Sequence, residues 1–552
     1  MGLIAPTPPP YDPLAWDRLP LPDKLRAVCR AWAMQGYGTP TSVFILYGLK
    51  VAAYVGGWMA FCSLSPELGG PSSIARWWAH PVAFEKAIVW SLLFEVLGLG
   101  CGSGPLTGRY LPPVGGFLYW LRPGTTKLSL VPSMPVLGGH RRTWLDVLSY
   151  AGLVVAAVLA LLAPDPAMAQ WLPLMVLVPL LGVLDKTIFL AARAEHYWVT
   201  IVCFVISPAP MAAAMAVQLA LWFFAGVSKL NHHFPTVVCV MTSNSPLTGF
   251  AWFRKMLYRS YPDDLNPSTF AVVAGHFGTA LELAVPLVLL SGQGGTVTIV
   301  GLVLMVALHG FITSNVPMGV PIEWNVMVVY GAFVLFWAHP DLHLLDVGLP
   351  AGAFLVTMLL VLPIVGNLVP RAVSFLLSMR YYAGNWPCSV WLFRDESWTK
   401  LEALKKSAPW VFDQLGVVYD RATSVGLVGK VIAFRAMHLH GRSLATLVPR
   451  ALVGAGDFER FSWLDGELVA GLALGWNFGD GHLHDEQLLA ALQAQCGFEP
   501  GEVRCVFIES QPLHRQRLSY RIADAAAGEV ERGELSVATL RTLQPWQDGA
   551  LG

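Results

Sequence analysis

The chain has 552 residues, no formal net charge at pH 7 and only 13% charged residues, where soluble domains carry about 25%; its mean hydropathy is +0.54. That deficit marks a membrane protein, and the balanced charge excludes the basic signature of nucleic-acid binders. The 8 cysteines are scattered without a Cys-x-x-Cys pair, which argues against a disulfide framework or a structural zinc site.

In chain order, Pro6–Pro13 is proline-rich and no secretory apolar core precedes Ser42, so no signal peptide is expected. Pro22–Met34 reads as a short interfacial helix, with a plain solvated helix as the alternative. A membrane-crossing helix needs about 20 mostly apolar residues. Such stretches are Ser42–Leu64, Ala87–Leu106, Leu145–Leu162, Trp171–Ala191, Pro210–Val227, Ser268–Leu290, Thr296–Thr313, Glu323–Trp337 and Gly348–Val365. Tyr197–Ile206 is a tenth apolar segment, too short to cross alone, and Pro208 and Pro210 cut it off from the next. The many tryptophans suit interfacial anchoring.

Arg109, Arg122, Lys127, Arg141 and Arg142 lie between the second and third spans with no acidic residue among them. The positive-inside rule puts that loop and the N-terminus in the cytoplasm. Nine spans would then leave the C-terminal part outside, and ten would leave it inside. From about Arg394 charges become frequent. Ser397–Leu415 has an amphipathic helical pattern, and Glu502–Glu509, Gln516–Asp524 and Glu531–Ala538 alternate like strands. The expected fold is an all-α polytopic membrane bundle of nine or ten helices with a C-terminal soluble α+β domain. Its expected divisions are an N-terminal segment 1–41, a transmembrane domain 42–393 and a soluble domain 394–552.

Ionisable groups at membrane depth are costly and often functional. Four clusters stand out: Asp185-Lys186-Thr187 with Glu195-His196-Tyr197-Trp198; Ala225-Gly226-Val227-Ser228-Lys229-Leu230-Asn231 with His232-His233; Gly275-His276-Phe277-Gly278 with Glu282; and His309 with Asn315, Glu323, Trp324 and Asn325. Each has a plainer reading. Lys229 ends a span, where its stem can snorkel to the headgroups; Lys186 and Arg193 suit edge anchors; His196 beside Tyr197 and Trp198 suits an aromatic belt; Glu282, His309 and Glu323 suit hydrogen-bonded packing. Adjacent His232 and His233 point apart on a helix. His438/His440 and His482/His484/Asp485 would share a face only on a strand, and no metal is expected. The chain has no phosphate-binding glycine loop, no G-x-S-x-G and no H-E-x-x-H, which weighs against an ATPase, a lipase or a zinc protease.

Four stretches carry a resemblance: DKTIFLAARAEHYWVTIVCFVI from Asp185, WFFAGVSKLNHHF from Trp222, GHFGTALELAVPLVLL from Gly275 and LVLMVALHGFITSNVPMGVPIEWNVMVVYGAF from Leu302. Together they resemble the membrane domain of the vitamin K-dependent γ-carboxylases and the horizontally transferred transmembrane (HTTM) proteins. The A-G-x-x-K-L element ending at Leu230 is its most specific piece. The whole chain also resembles a bacterial transmembrane family of unknown function, which implies a bacterial cytoplasmic membrane. The carboxylase resemblance implies that Lys229 is a base on a quinol-like cofactor, with His196 and His309 in the same chemistry; the family's lysine doublet is Ser228-Lys229 here.

The resulting expectation is an enzyme-like membrane protein with catalytic residues Lys229, His196 and His309. It would hold a lipid-soluble ligand, with Asp185, Glu282 and Asn315 as ligand-binding residues. Its expected partners are the bilayer and that ligand, and not nucleic acid. The alternative is a non-catalytic membrane module: a transporter subunit, an immunity-type protein or a scaffold.

Overall fold

The computed structural model describes residues 2–100, 116–191, 193–315, 322–381, 383–475 and 480–549. Arg109, the end of the second predicted span and the Val316–Pro321 part of the fourth stretch lie outside the described residues. Six described helices are long and apolar enough to cross a membrane: Thr41–Cys62, Trp144–Leu162, Pro210–Ser228, Thr269–Gly292, Thr296–Ser314 and Leu349–Leu368. Shorter apolar helices, among them Met168–Leu184 and Ala194–Ile206, complete the bundle. The chain is thus a multi-pass membrane protein with a C-terminal sheet. Val273, Phe277 and Leu287 on one long helix, and Val297, Val300 and Val303 on the next, are exposed. An apolar outer face of that kind is stable only against lipid.

One predicted span is interrupted, and the tenth apolar segment stands as a helix of its own, for identifiable reasons. The run Trp171–Ala191 breaks at Asp185, which is extended and ends the Met168–Leu184 helix. Its carboxylate accepts the backbone N–H of Thr187 (3.1 Å), as an N-cap does, and pairs with buried Arg142 at 2.6 Å. A new short helix, Lys186–Ala191, starts there. Tyr197–Ile206 is a separate helix: Pro210 opens the following one, and Ser207 ties the junction to Val347 through a 2.9 Å hydrogen bond.

The C-terminal part is built on five antiparallel strands: β1 (Cys388–Arg394), β2 (Phe461–Asp465), β3 (Val503–Ile508), β4 (Arg517–Asp524) and β5 (Gly528–Ser536), in the order β2-β1-β3-β4-β5. The three strands with alternating sequence are close to their predicted positions. β1 reads in sequence as one more apolar run, because Cys388–Phe393 is buried on both faces and so shows no alternation. The unit therefore begins before Arg394. Ser397–Leu415 is not one helix: a 3₁₀ turn, Ser397–Ala403, and a short helix, Val411–Gly416, flank a loop containing Pro409, whose ring and missing N–H break a helix.

The predicted interfacial helix is present as Leu21–Gln35, but its apolar face is committed to protein. Trp32 packs on Phe434 with ring centroids 5.9 Å apart, and Lys430 donates to the carbonyls of Thr7 (2.6 Å) and Tyr37 (2.7 Å). The loop after the second span docks on the same unit: Tyr119 donates to Ala473 O at 2.6 Å and Trp120 to Leu474 O at 2.9 Å. N-terminal segment, loop and C-terminal unit thus share one side of the bundle, which fits an even number of crossings. Two of the basic residues used to orient the loop are spent internally, Lys127 on Asp146 (2.7 Å) and Arg142 on Asp185.

Where bundle and C-terminal unit meet, three fully buried histidines gather around Trp386. His233 and His440 have ring centroids 6.0 Å apart, as do His438 and His440. Each donates one N–H, to Gln511 Oε1 (3.0 Å), Phe434 O (2.6 Å) and Gly384 O (3.1 Å) for His233, His438 and His440 respectively. Burial first, and then the charges of Arg435 and Arg442 on His438, press these imidazoles down: His233 to about 4, His438 to about 3, and His440 well below the usual range. His484, also buried, is lowered to about 4. His482 goes the other way. Burial lowers it, but Glu509 and Asp480 outweigh burial and raise it to about 10.

The sign follows. A group depressed on folding stabilises above its unfolded value, about 6.5, and that stability is lost as pH falls toward 4. The raised His482 contributes fully below 6.5 and loses its contribution only as pH rises toward 10. Acid should therefore loosen the C-terminal unit by about 1.4 kcal/mol per depressed histidine per pH unit below 6.5. Melting followed by intrinsic fluorescence at pH 7.5 and 5.5 checks this. A clear drop at 5.5 is expected, smaller in His440→Gln; an unchanged midpoint would refute the assignment.

Candidate functional site

The Pro210–Ser228 helix lies tight on the Thr269–Gly292 helix because Gly226 faces Leu283. A Cβ on Gly226 would come within 2.8 Å of the Leu283 side chain, so only glycine permits that approach. Lys229, the first residue past the helix end, is thereby brought against Glu282. Ammonium and carboxylate form a direct ion pair, with Lys229 6% and Glu282 5% exposed. The Lys229 Nζ also stands 5.2 Å from the centre of the Phe234 ring. The lysine does not reach out to a headgroup layer; it turns into the bundle.

Beside the pair lies a cavity of ≈ 300 Å³, near the lower end of the range for small-molecule pockets. Its wall is mostly apolar, and Lys229 and Glu282 are its charged residues. His309 is held from both sides: Trp222 Nε1 donates to its Nε2 at 2.9 Å, and its Nδ1 is 2.7 Å from Asn325 Oδ1. An indole N–H can only donate, so Nε2 carries the lone pair and Nδ1 the proton. His309 is fixed as a neutral imidazole with both nitrogens engaged. His196 is treated alike by Trp324, whose Nε1 donates to His196 Nε2 at 2.7 Å. Trp324 lines the cavity and His196 stands behind it.

Of the six residues singled out from the sequence, Lys229, Glu282, His309 and Asn315 share the cavity wall. His196 supports that wall, and Asp185 is elsewhere, paired with Arg142. Glu323 is paired too: Arg193 reaches both Glu95 (2.7 Å) and Glu323 (3.2 Å). Sequence reading placed Trp324 and Asn325 in a polar cluster without giving them a role, and gave none to Trp222 or Tyr381. Trp222 had a signal, since Trp222, Ala225 and Lys229 fall on one face of a 3.6-residue helix. Tyr381 had none, because the connecting segment places it and its hydroxyl donates to Glu195 at 3.0 Å. Among the described residues no group of three or more His, Cys, Asp or Glu is disposed to hold a metal ion.

A family model described as a transmembrane protein of unknown function (DUF3556) matches residues 1–551, and the chain belongs to that family. No curated protein and no solved structure matches it. The γ-carboxylase and HTTM resemblance is corrected by this result: no carboxylase or HTTM family model matches. In this chain the A-G-x-x-K-L element is accounted for by Gly226, which allows the close approach to Leu283, and Lys229, which pairs with Glu282. The roles it implied for Lys229, His196 and His309 lose that support.

Removing one member of a buried ion pair strands the other, at about 3–5 kcal/mol. Lys229→Met and Glu282→Gln should each lower the melting midpoint of the detergent-solubilised protein markedly. The double variant should be more stable than the sum of the two losses implies, recovering at least about 1 kcal/mol. Strict additivity would show that the two residues do not interact.

Proposed function

We propose that this membrane protein binds a lipid-soluble small molecule inside its bundle, beside the Lys229–Glu282 pair. The observation that carries the reading is a mostly apolar cavity of ≈ 300 Å³ with one charge-balanced polar point on its wall. Interiors pack densely, and voids of this size are seldom left without use. Several features support binding as the role. Trp222 and Trp324 are clamped by hydrogen bonds to His309 and His196, so the wall is preformed. Phe270, at one end of the cavity, is exposed, which gives a ligand dissolved in the bilayer a way in. In the same reading the unit beginning at β1 stands outside the bilayer, on the side of the N-terminal segment.

The second reading is a non-catalytic module in which Lys229 and Glu282 only pin two helices. Their mutual pairing favours it, and the space beside them does not. Filling that space separates the two. Ala274 lines the cavity, and Ala274→Trp should occupy most of it. Native mass spectrometry of gently solubilised wild type should show a co-purifying apolar species, depleted at least about fivefold in Ala274→Trp. Equal lipid content in the two proteins, or none in either, would favour the structural module.

A further inference from the structure

The short helix Ala251–Leu257 has two faces of different character. Its inner face belongs to the protein. Leu257 is fully buried and lines the cavity together with Phe253. Arg254 donates to the carbonyls of Met34 (2.7 Å) and Ser243 (2.9 Å), which ties the helix to the N-terminal segment. Ser268 N donates to Leu257 O at 2.9 Å, and Phe253 meets Phe270 edge to face, with ring centroids 5.7 Å apart. The helix therefore sits against the start of the Thr269–Gly292 span, at the rim of the lipid-facing surface.

The outer face is different. Phe250 and Trp252 are more than half exposed, and their ring planes lie 12° apart in a stack. Lys255 and Met256, three and four residues on, share the face of Trp252 and are exposed. Arg259 follows with 64% of its side chain exposed and only a long 3.6 Å contact to Asp264. The neighbouring Asp263 is taken by Arg30 at 3.1 Å, and Lys255 has no ion-pair partner among the described residues. The face thus combines a bare aromatic stack with two weakly engaged cations.

Aromatic rings beside cations mark the level where a bilayer's headgroups meet its tails. The position agrees: exposed Phe270, Val273 and Phe277 of the adjoining span continue the same apolar surface. A second copy seated on this face by two-fold symmetry would bring Lys255 and Arg259 against their own equivalents, which like charges oppose. A zwitterionic lipid carries its own cation and gains little from two more. A lipid of net negative charge gains from both, and an arginine fork suits a phosphate.

We propose that this face is a docking site for anionic phospholipids, with Phe250 and Trp252 beside the upper tails and Lys255 and Arg259 on the phosphate. The face lies outside the cavity, so the proposal stands whether or not the cavity is filled.

The test uses the full-length protein in nanodiscs of phosphatidylglycerol and phosphatidylcholine in equal parts, with the same tails. A photoreactive phosphatidylglycerol with its diazirine close to the glycerol should label the peptide that contains Trp252 and Lys255. Native mass spectrometry should find phosphatidylglycerol enriched about fivefold over the bulk among the retained lipids. The double variant Lys255→Gln/Arg259→Gln should lose the labelling and bring the enrichment to within about twofold of the bulk ratio. An unchanged melting midpoint in pure phosphatidylcholine is the control that it is folded, and Arg532→Gln, at an exposed arginine of the C-terminal unit, should alter neither readout. The labelling of the wild type decides the question even where the double variant is unstable. Labelling confined to other peptides, no enrichment in the wild type, or enrichment that survives in the folded double variant would overturn the proposal. Cross-links between copies through Lys255 in place of lipid would give the face to a second copy and overturn it as well.

Discussion

Everything in this bundle depends on charge being cancelled where it is buried. An uncompensated charge in a low-dielectric interior costs several kcal/mol even after relaxation, so several buried basic groups sit against an acid supplied from elsewhere in the chain, while Lys86 is held by the carbonyls of Phe61 and Leu161. Lys229 has Glu282, Arg142 has Asp185, Lys127 has Asp146, and Arg193 has both Glu95 and Glu323. These pairs join residues 19 to 130 positions apart. They fix which helices are neighbours in a medium where helix-to-helix packing gains little from the hydrophobic effect. The cavity is a by-product of that arrangement at one place, where the pair lies at the edge of a space and not inside a packed contact.

The same logic explains the tryptophans. An indole N–H in hydrocarbon must find an acceptor, and a histidine in hydrocarbon is cheapest when neutral. Trp222 with His309, and Trp324 with His196, satisfy both needs at once. Each histidine that stood out in sequence as a catalytic candidate is thus half of a rigid strut. A polar residue at membrane depth does mark something important, but geometry alone separates a reagent from a brace. Here both ring nitrogens of His309 are occupied.

What sequence disclosed follows a physical line. The long spans were legible because hydropathy over about 20 residues is a local property. The last two strands were legible because charged residues recur along their partly exposed length, and β3, although buried throughout, was marked by Arg504 and the flanking acids Glu502 and Glu509. The buried strand Cys388–Arg394 was not, because two apolar neighbours remove the period that betrays a strand. The break at Asp185 was hidden because it needs Arg142, 43 positions earlier, to hold the carboxylate. Lys229 and Glu282 were visible as costly residues, and their pairing was not, since Gly226 reveals its purpose only when Leu283 lies across it. The short A-G-x-x-K-L element misled for the same reason: here its glycine serves close helix packing and its lysine serves pairing.

The position of Lys229 also ties the cavity to the C-terminal unit. Four residues, from Lys229 to His232, separate the end of one helix from the docking histidine that precedes the next, and the positions on either side of them are pinned. Ser228 donates to Met379 O at 3.1 Å, and His233 meets Gln511 at 3.0 Å, within a segment that Asn385 also holds at 2.8 Å. Tyr381, in the strap leading into β1, lines the cavity itself and touches Trp324 with ring centroids 4.7 Å apart. Loop, strap and cavity wall are therefore one packed body. Densely packed interfaces tend to shift between discrete arrangements and do not deform smoothly. A change in what fills the space beside Lys229 would be felt first at Phe234 and Tyr381, and from there at the histidine cluster around Trp386.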